Sequence, residues 1–85
     1  MKGLEKLIIN NIIEKVSSLT KTPKNEFKPD TELYNSTVIS SLNLLELMSF
    51  IEQQYNIVIR PEELIEDNFK DIKTLSEFIE KKLSG

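Results

Sequence analysis

Apolar residues at Leu4, Leu7, Ile8, Ile12, Val16 and Leu19 recur in helical steps, and Leu44, Leu47, Met48, Ile51 and Tyr55 repeat the pattern further along the chain. A chain dominated by this period buries stripes of helix against one another, because each stripe needs an apolar neighbour to cover it. Ile9 and Ile13 widen the first stripe, and Glu5, Asn10 and Glu14 are left for its outer face. Between Thr20 and Ile39 the period fails and turn formers collect: Thr22, Pro23, Asn25, Pro29, Asp30, Asn35 and Ser36. A connection of about twenty residues must be tied down in a small domain. Phe27, Leu33, Tyr34 and Val38 are the predicted anchors.

Ser40 or Ser41 sits where a helix cap belongs, and helix two is predicted from Leu42 to Tyr55, with Leu45 beside its stripe. Ile57, Val58 and Ile59 read as a buried extended connector, since a lone strand has nothing to pair with. Pro61 suits the first position of a short third helix through Ile65. Thr74 and Glu77 form a capping-box pattern for a last helix facing inward through Leu75, Phe78, Ile79 and Leu83, with Lys81 and Lys82 near its negative end. The expected fold is all-α: a small four-helix bundle with a long loop between helices one and two and a short third helix. The 85 residues can build one core, so residues 1–85 are expected to form a single domain.

Composition narrows the chemistry. Cysteine and histidine are both absent, which excludes disulfides, thiolate or imidazole metal sites, Cys–His pairs and Ser–His–Asp triads from within the chain. The carboxylates Glu62, Glu63, Glu66 and Asp67 lack the glycine turn and alternating spacing of an EF-hand, so no dedicated metal site is expected. Residues 1–28 carry a balance of +3 and residues 29–85 one of −6. The acidic second half disfavours nucleic acid and suits a partner with a basic face. No apolar run reaches membrane-spanning length and no signal peptide is evident, so a cytoplasmic monomer that neither inserts in membranes nor binds nucleic acid is the expectation.

The stretch Val38-Ile39-Ser40-Ser41-Leu42-Asn43-Leu44-Leu45-Glu46-Leu47 resembles the attachment region of acyl carrier proteins, usually Asp-Ser-Leu followed by an amphipathic helix. The likeness covers most of the chain. Asp30-Thr31-Glu32-Leu33, Tyr55-Asn56-Ile57-Val58-Ile59, Pro61-Glu62-Glu63-Leu64 and Thr74-Leu75 stand in the family's order. The resemblance implies that 4′-phosphopantetheine is attached covalently to Ser41 by a separate phosphopantetheinyl transferase. The arm would hold an acyl or aminoacyl group as a thioester, loaded by an acyl or aminoacyl ligase and passed to acyl-processing enzymes of fatty acid, polyketide or specialised biosynthesis. Leu42 after Ser41 selects that serine over Ser40. Helix starts carry free amide protons and a partial positive charge, so a phosphodiester there is well placed. Nothing in the sequence activates Ser41 as a nucleophile by itself, and a non-catalytic carrier is implied.

Two departures from the family pattern stand out. Ser40 replaces the usual aspartate, removing a negative contact for the transferase, and Asn43 and Gln53 occupy places that are acidic in fatty-acid-synthesis carriers. The implied docking surface is Ser40, Leu42, Leu44, Glu46, Met48, Glu52, Glu62 and Glu63, less electrostatic than in those carriers. Glu63 to Phe69 is similar to the third-helix region of D-alanyl and peptidyl carriers, which makes an aminoacyl cargo the leading variant. Leu7, Ile12, Val16, Phe50, Ile51, Ile59, Leu64, Phe69, Ile72 and Ile79 are the core residues that would line an acyl cavity, if the core is not simply close-packed. An unmodified helical adaptor binding proteins through its acidic surface is the alternative from residues alone.

Overall fold

The first apolar stripe becomes α1, Lys2–Thr20, in a computed structural model that describes residues 2–84. Met1 and Gly85, the ends of the expected domain, lie outside the described residues. Ile8, Ile12 and Val16 point into the core with essentially no exposure. Leu7 does not: it is 53% exposed. The helical period explains the correction, because Leu7 and Val16 are two and a half turns apart and therefore on opposite sides of α1. The helix ends on Lys21 with φ 56°, where Thr22 N–H donates to the Ser17 carbonyl.

The loop that follows contains a 3-10 turn, Lys24–Glu26, and is stitched down by both side chains and backbone. Phe27 and Leu33 are buried as expected, whereas Tyr34 and Val38 face solvent and Ile39 supplies the third anchor. The Ser36 hydroxyl accepts the amides of Val38 and Ile39 and turns the chain so that Ile39 enters the core. On the backbone, Leu33 N–H donates to Lys70 O, Ile72 N–H to Thr31 O and Lys73 N–H to Pro29 O, an antiparallel bridge centred on Glu32 and Asp71. These bonds hold the loop against the start of the last helix.

Helix α2, Ser41–Tyr55, buries Leu47 and Ile51 and ends on Asn56 in the left-handed region. Asn11 Nδ2 donates to Tyr55 Oη at 2.7 Å, joining α2 to α1. The connector after α2 is extended but alternates, with Ile57 half-buried, Val58 71% exposed and Ile59 buried, so its middle residue corrects the expectation of a wholly buried segment. Glu52 Oε2 accepts the Ile59 amide at 2.8 Å, which pins the connector to the helix before it.

The expected third helix through Ile65 is instead two short pieces. Pro61 opens a 3-10 turn, Pro61–Glu63, and α3 occupies Glu66–Phe69. Leu64, at ψ 63°, and the extended Ile65 break the helical path between them. The last helix, α4, runs Ile72–Ser84 and starts earlier than its capping-box pattern suggests. Asp71 Oδ1 accepts the Thr74 amide at 2.7 Å and Asp71 O accepts Leu75 N–H, so Asp71 takes the capping place assigned to Thr74. Ile72, Leu75, Ser76 and Ile79 are buried, Phe78 is half-buried and Leu83 lies exposed in the final turn.

α4 and α2 each pack against α1, and α3 lies on α4, where the Phe69 and Phe78 rings meet with centroids 6.0 Å apart. The architecture is all-α, with a long loop before α2 and a one-turn α3. Its radius of gyration is 11.7 Å. No helix among the described residues is long and apolar enough to cross a membrane.

Candidate functional site

Burial of Ile39 fixes where the chain emerges from the core, and the next two residues open α2 at the surface. Ser40 is the N-cap. Its hydroxyl accepts the Asn43 amide at 3.1 Å, and Asn43 Oδ1 accepts the Ser40 amide at 3.2 Å, so the pair closes a reciprocal capping box. The cap's work falls to Ser40, which leaves Ser41 at the first helical position with its side chain exposed. No hydrogen bond engages the Ser41 hydroxyl among the described residues. The first intrahelical bond is Leu44 N–H to Ser40 O, so the Ser41 and Leu42 amides have no carbonyl one turn back to meet. The first turn of α2 holds no acid that would oppose an anion there.

Beside Ser41 opens an apolar cleft of about 230 Å³, walled by Leu44, Leu45 and Met48 of α2, by Tyr34 of the loop, and by Leu64 and Phe69. Of the ten core residues expected to line a cavity, Leu64 and Phe69 wall this cleft and the other eight do not, with Leu7 facing solvent. Tyr34 and Leu45 were not singled out for this role by the sequence. Leu45 stands beside the inward stripe, and that flanking position is the signal that it edges the cleft.

The expected docking residues divide by what they touch. Leu42 is 65% exposed, and Glu46 is exposed with Asn43 Nδ2 3.5 Å away. Leu44 and Met48 are half-buried in the cleft wall. Glu62 faces solvent 3.6 Å from Arg60 Nε. Glu52 is half-buried and held by the Ile59 amide. Glu63 also turns inward: Lys82 Nζ is 2.7 Å away and the Arg60 amide donates to it at 2.8 Å. The Lys82 hydrogen bond, helped by the Arg60 amide, holds the Glu63 carboxyl below its ordinary value of 4.5. Exposed apolar side chains also frame the region in sequence: Tyr34, Val38, Leu45 and Ile65 join Leu42.

At the start of α2 an unengaged hydroxyl, a first turn without an acid and an apolar cleft lie side by side. The chain matches the family model described as the phosphopantetheine attachment site over residues 10–79. It belongs to that family. A comparison with curated proteins gave no significant match. Members of the phosphopantetheine attachment family carry 4′-phosphopantetheine covalently on a serine, and this chain is accordingly a phosphopantetheine-carrying carrier protein. Carrier domains of this kind are in general non-catalytic substrates of other enzymes, meeting phosphopantetheinyl transferases and acyl-processing enzymes.

Proposed function

We propose that Ser41 is the attachment point and that the domain acts as a carrier, moving an acyl or aminoacyl group between a loading ligase and later enzymes. The observation that carries this reading is the division of labour between adjacent serines: Ser40 is occupied by the cap while the Ser41 hydroxyl is exposed and unengaged at the helix tip. When bound, the arm supplies a terminal thiol that holds the cargo as a thioester, the sulfur chemistry absent from a chain without cysteine. The chain's own residues position and shelter. The free amides and positive pole of α2 stabilise the negative charge of the phosphodiester. Leu44, Leu45 and Met48 offer the cargo an apolar surface.

In this proposal the cargo that rests against these side chains is an aminoacyl or short acyl group. Partners that reach Ser41 must cover its surroundings, so Ser40, Leu42, Glu46 and Glu62 are the docking contacts in this proposal. Leu44 and Met48 contribute as cleft wall, and Glu52 and Glu63 by fixing the segments that flank it.

Incubation with coenzyme A, magnesium and a broad-specificity transferase is expected to add one phosphopantetheine to the intact mass, on the tryptic peptide containing Ser41. An unchanged mass with several transferases would refute the proposal and favour an unmodified adaptor.

A further inference from the structure

The far end of α2 presents a second surface, separated from Ser41 by the whole length of the helix, about 22 Å for its 15 residues at a rise of about 1.5 Å each. Val58 stands there 71% exposed, more than any other large apolar side chain among the described residues. It edges a shallow groove of about 530 Å³ together with Ile57 and with Phe78 and Lys81 of α4. Side chains alternate along an extended chain, so the inward set of Ile57 and Ile59 forces Val58 outward. The backbone is turned the same way. Ile57 N–H donates to Glu52 O at 3.2 Å and Ile59 N–H to Glu52 Oε2 at 2.8 Å, so both residues direct their amides at α2. Successive residues of an extended segment point their polar groups to opposite edges, which turns the Val58 N–H and C=O away from the helix. Neither group has a hydrogen-bond partner among the described residues.

Val58 therefore offers a donor, an acceptor and an apolar side chain to one approaching segment, and the charge around it selects that segment's sign. Glu63, the carboxylate in the groove wall, is neutralised by Lys82 at 2.7 Å, and Lys82 also lies 5.5 Å over the Phe78 ring. Lys81 is exposed and forms no ion pair among the described residues, so the charge left over in the groove is positive. A carboxylate arriving beside Val58 gains Lys81 as a partner, and a basic segment is repelled. We infer that Val58 and Lys81 form a docking site for an extended segment of a partner protein, apolar at its centre and acidic at its flanks, which adds to the Val58 backbone as a strand. The site shares no residue with the cleft beside Ser41 and requires no arm, so a partner holds the chain by one end while the Ser41 end stays open.

The test titrates the full-length, unmodified, isotope-labelled protein with the peptide acetyl-Asp-Val-Ile-Val-Glu-amide and follows backbone amide shifts by NMR. Binding with Kd of about 1 mM or tighter is expected, with shifts at Val58, Phe78 and Lys81, none at Ser41 or Leu45, and slowed hydrogen exchange of the Val58 amide at saturation. Val58→Ser, Lys81→Glu and a peptide with lysines in place of its two acids should each weaken binding about three- to tenfold. Val58→Pro removes the amide donor and should weaken it by a similar factor. If that variant melts early, the two exposed substitutions decide the matter, since neither touches the core. No shift with the acidic peptide, equal binding of the basic one, or shifts centred on the Ser41 cleft would overturn the site. A concentration-dependent dimer of wild type that Val58→Ser abolishes would overturn the partner segment in favour of a second copy of the chain. Whether Ser41 accepts an arm plays no part in any of these readouts, so the two readings fail separately.

Discussion

Replacing each of the two adjacent serines by alanine separates structure from function in opposite directions. Ser40→Ala removes the acceptor of the Asn43 amide and leaves that amide at an exposed helix start, where water takes over part of the role. The loss of such a cap costs about 1 kcal/mol. For a domain of this size that lowers the melting temperature by roughly 4–8 °C. Ser41→Ala removes a hydroxyl that bonds to nothing among the described residues, in a helical position where alanine is favoured by up to about 0.5 kcal/mol. Its melting temperature should match or slightly exceed wild type. Modification runs the other way: intact mass after treatment with transferase and coenzyme A should rise for Ser40→Ala and stay fixed for Ser41→Ala. The reasoning fails if Ser41→Ala still gains the arm, or if it melts below Ser40→Ala.

Three further outcomes follow from the same geometry. Glu52→Ala strands the Ile59 amide beside the core and should destabilise the chain by about 1–3 kcal/mol in urea unfolding, whereas Glu46→Lys should stay within about 0.5 kcal/mol. Glu63 has a folded-state pKa below its ordinary 4.5, so its contribution is complete above that value and is lost as pH falls through the lowered one; the stability gap between wild type and Glu63→Gln, measured by denaturation across pH, should be full near neutrality and shrink in acid. Leu42→Ser, at a 65% exposed position, should leave the melting temperature nearly unchanged while reducing transferase kcat/KM about tenfold, the loss of one apolar contact of about 1.4 kcal/mol.

The helices were legible wherever apolar spacing outlasted two turns, as in Ile8, Ile12 and Val16 or Leu47 and Ile51, because one buried stripe dictates both period and face. Leu7 was misread because apolar identity alone does not say on which side of a helix a residue lies. The segment after α2 was misread for a different reason. Its conformation is set by partners distant in sequence, Glu52 for Ile59 and Lys82 for Glu63, which no local pattern announces. Asp71 displaced Thr74 as the cap of α4 because the loop's backbone bonds at Leu33, Ile72 and Lys73 had already placed that junction. Ser41 and its neighbours were legible through a local feature, two hydroxyls at a helix start. The cleft was not, because it forms where Tyr34, Leu45 and Leu64 converge from three separate segments.

That convergence also changes how the charge of the chain is to be understood. The sequence places a net −5 between Ser40 and Asp71, which suggests a surface built to attract basic partners. Glu52 and Glu63 spend their charge inward on an amide and a lysine, and Glu66 bonds to Asn35. Beside the Ser41 hydroxyl stand the apolar side chains of Leu42 and Leu45 on α2 and Tyr34 in the cleft wall, with Glu46 exposed further along the helix. Charge of this kind acts over distance and governs encounter, while desolvated apolar contacts govern how long a docked partner stays. On the proposed carrier reading, the acidic half steers partners toward α2 and the apolar surroundings of Ser41 choose among them.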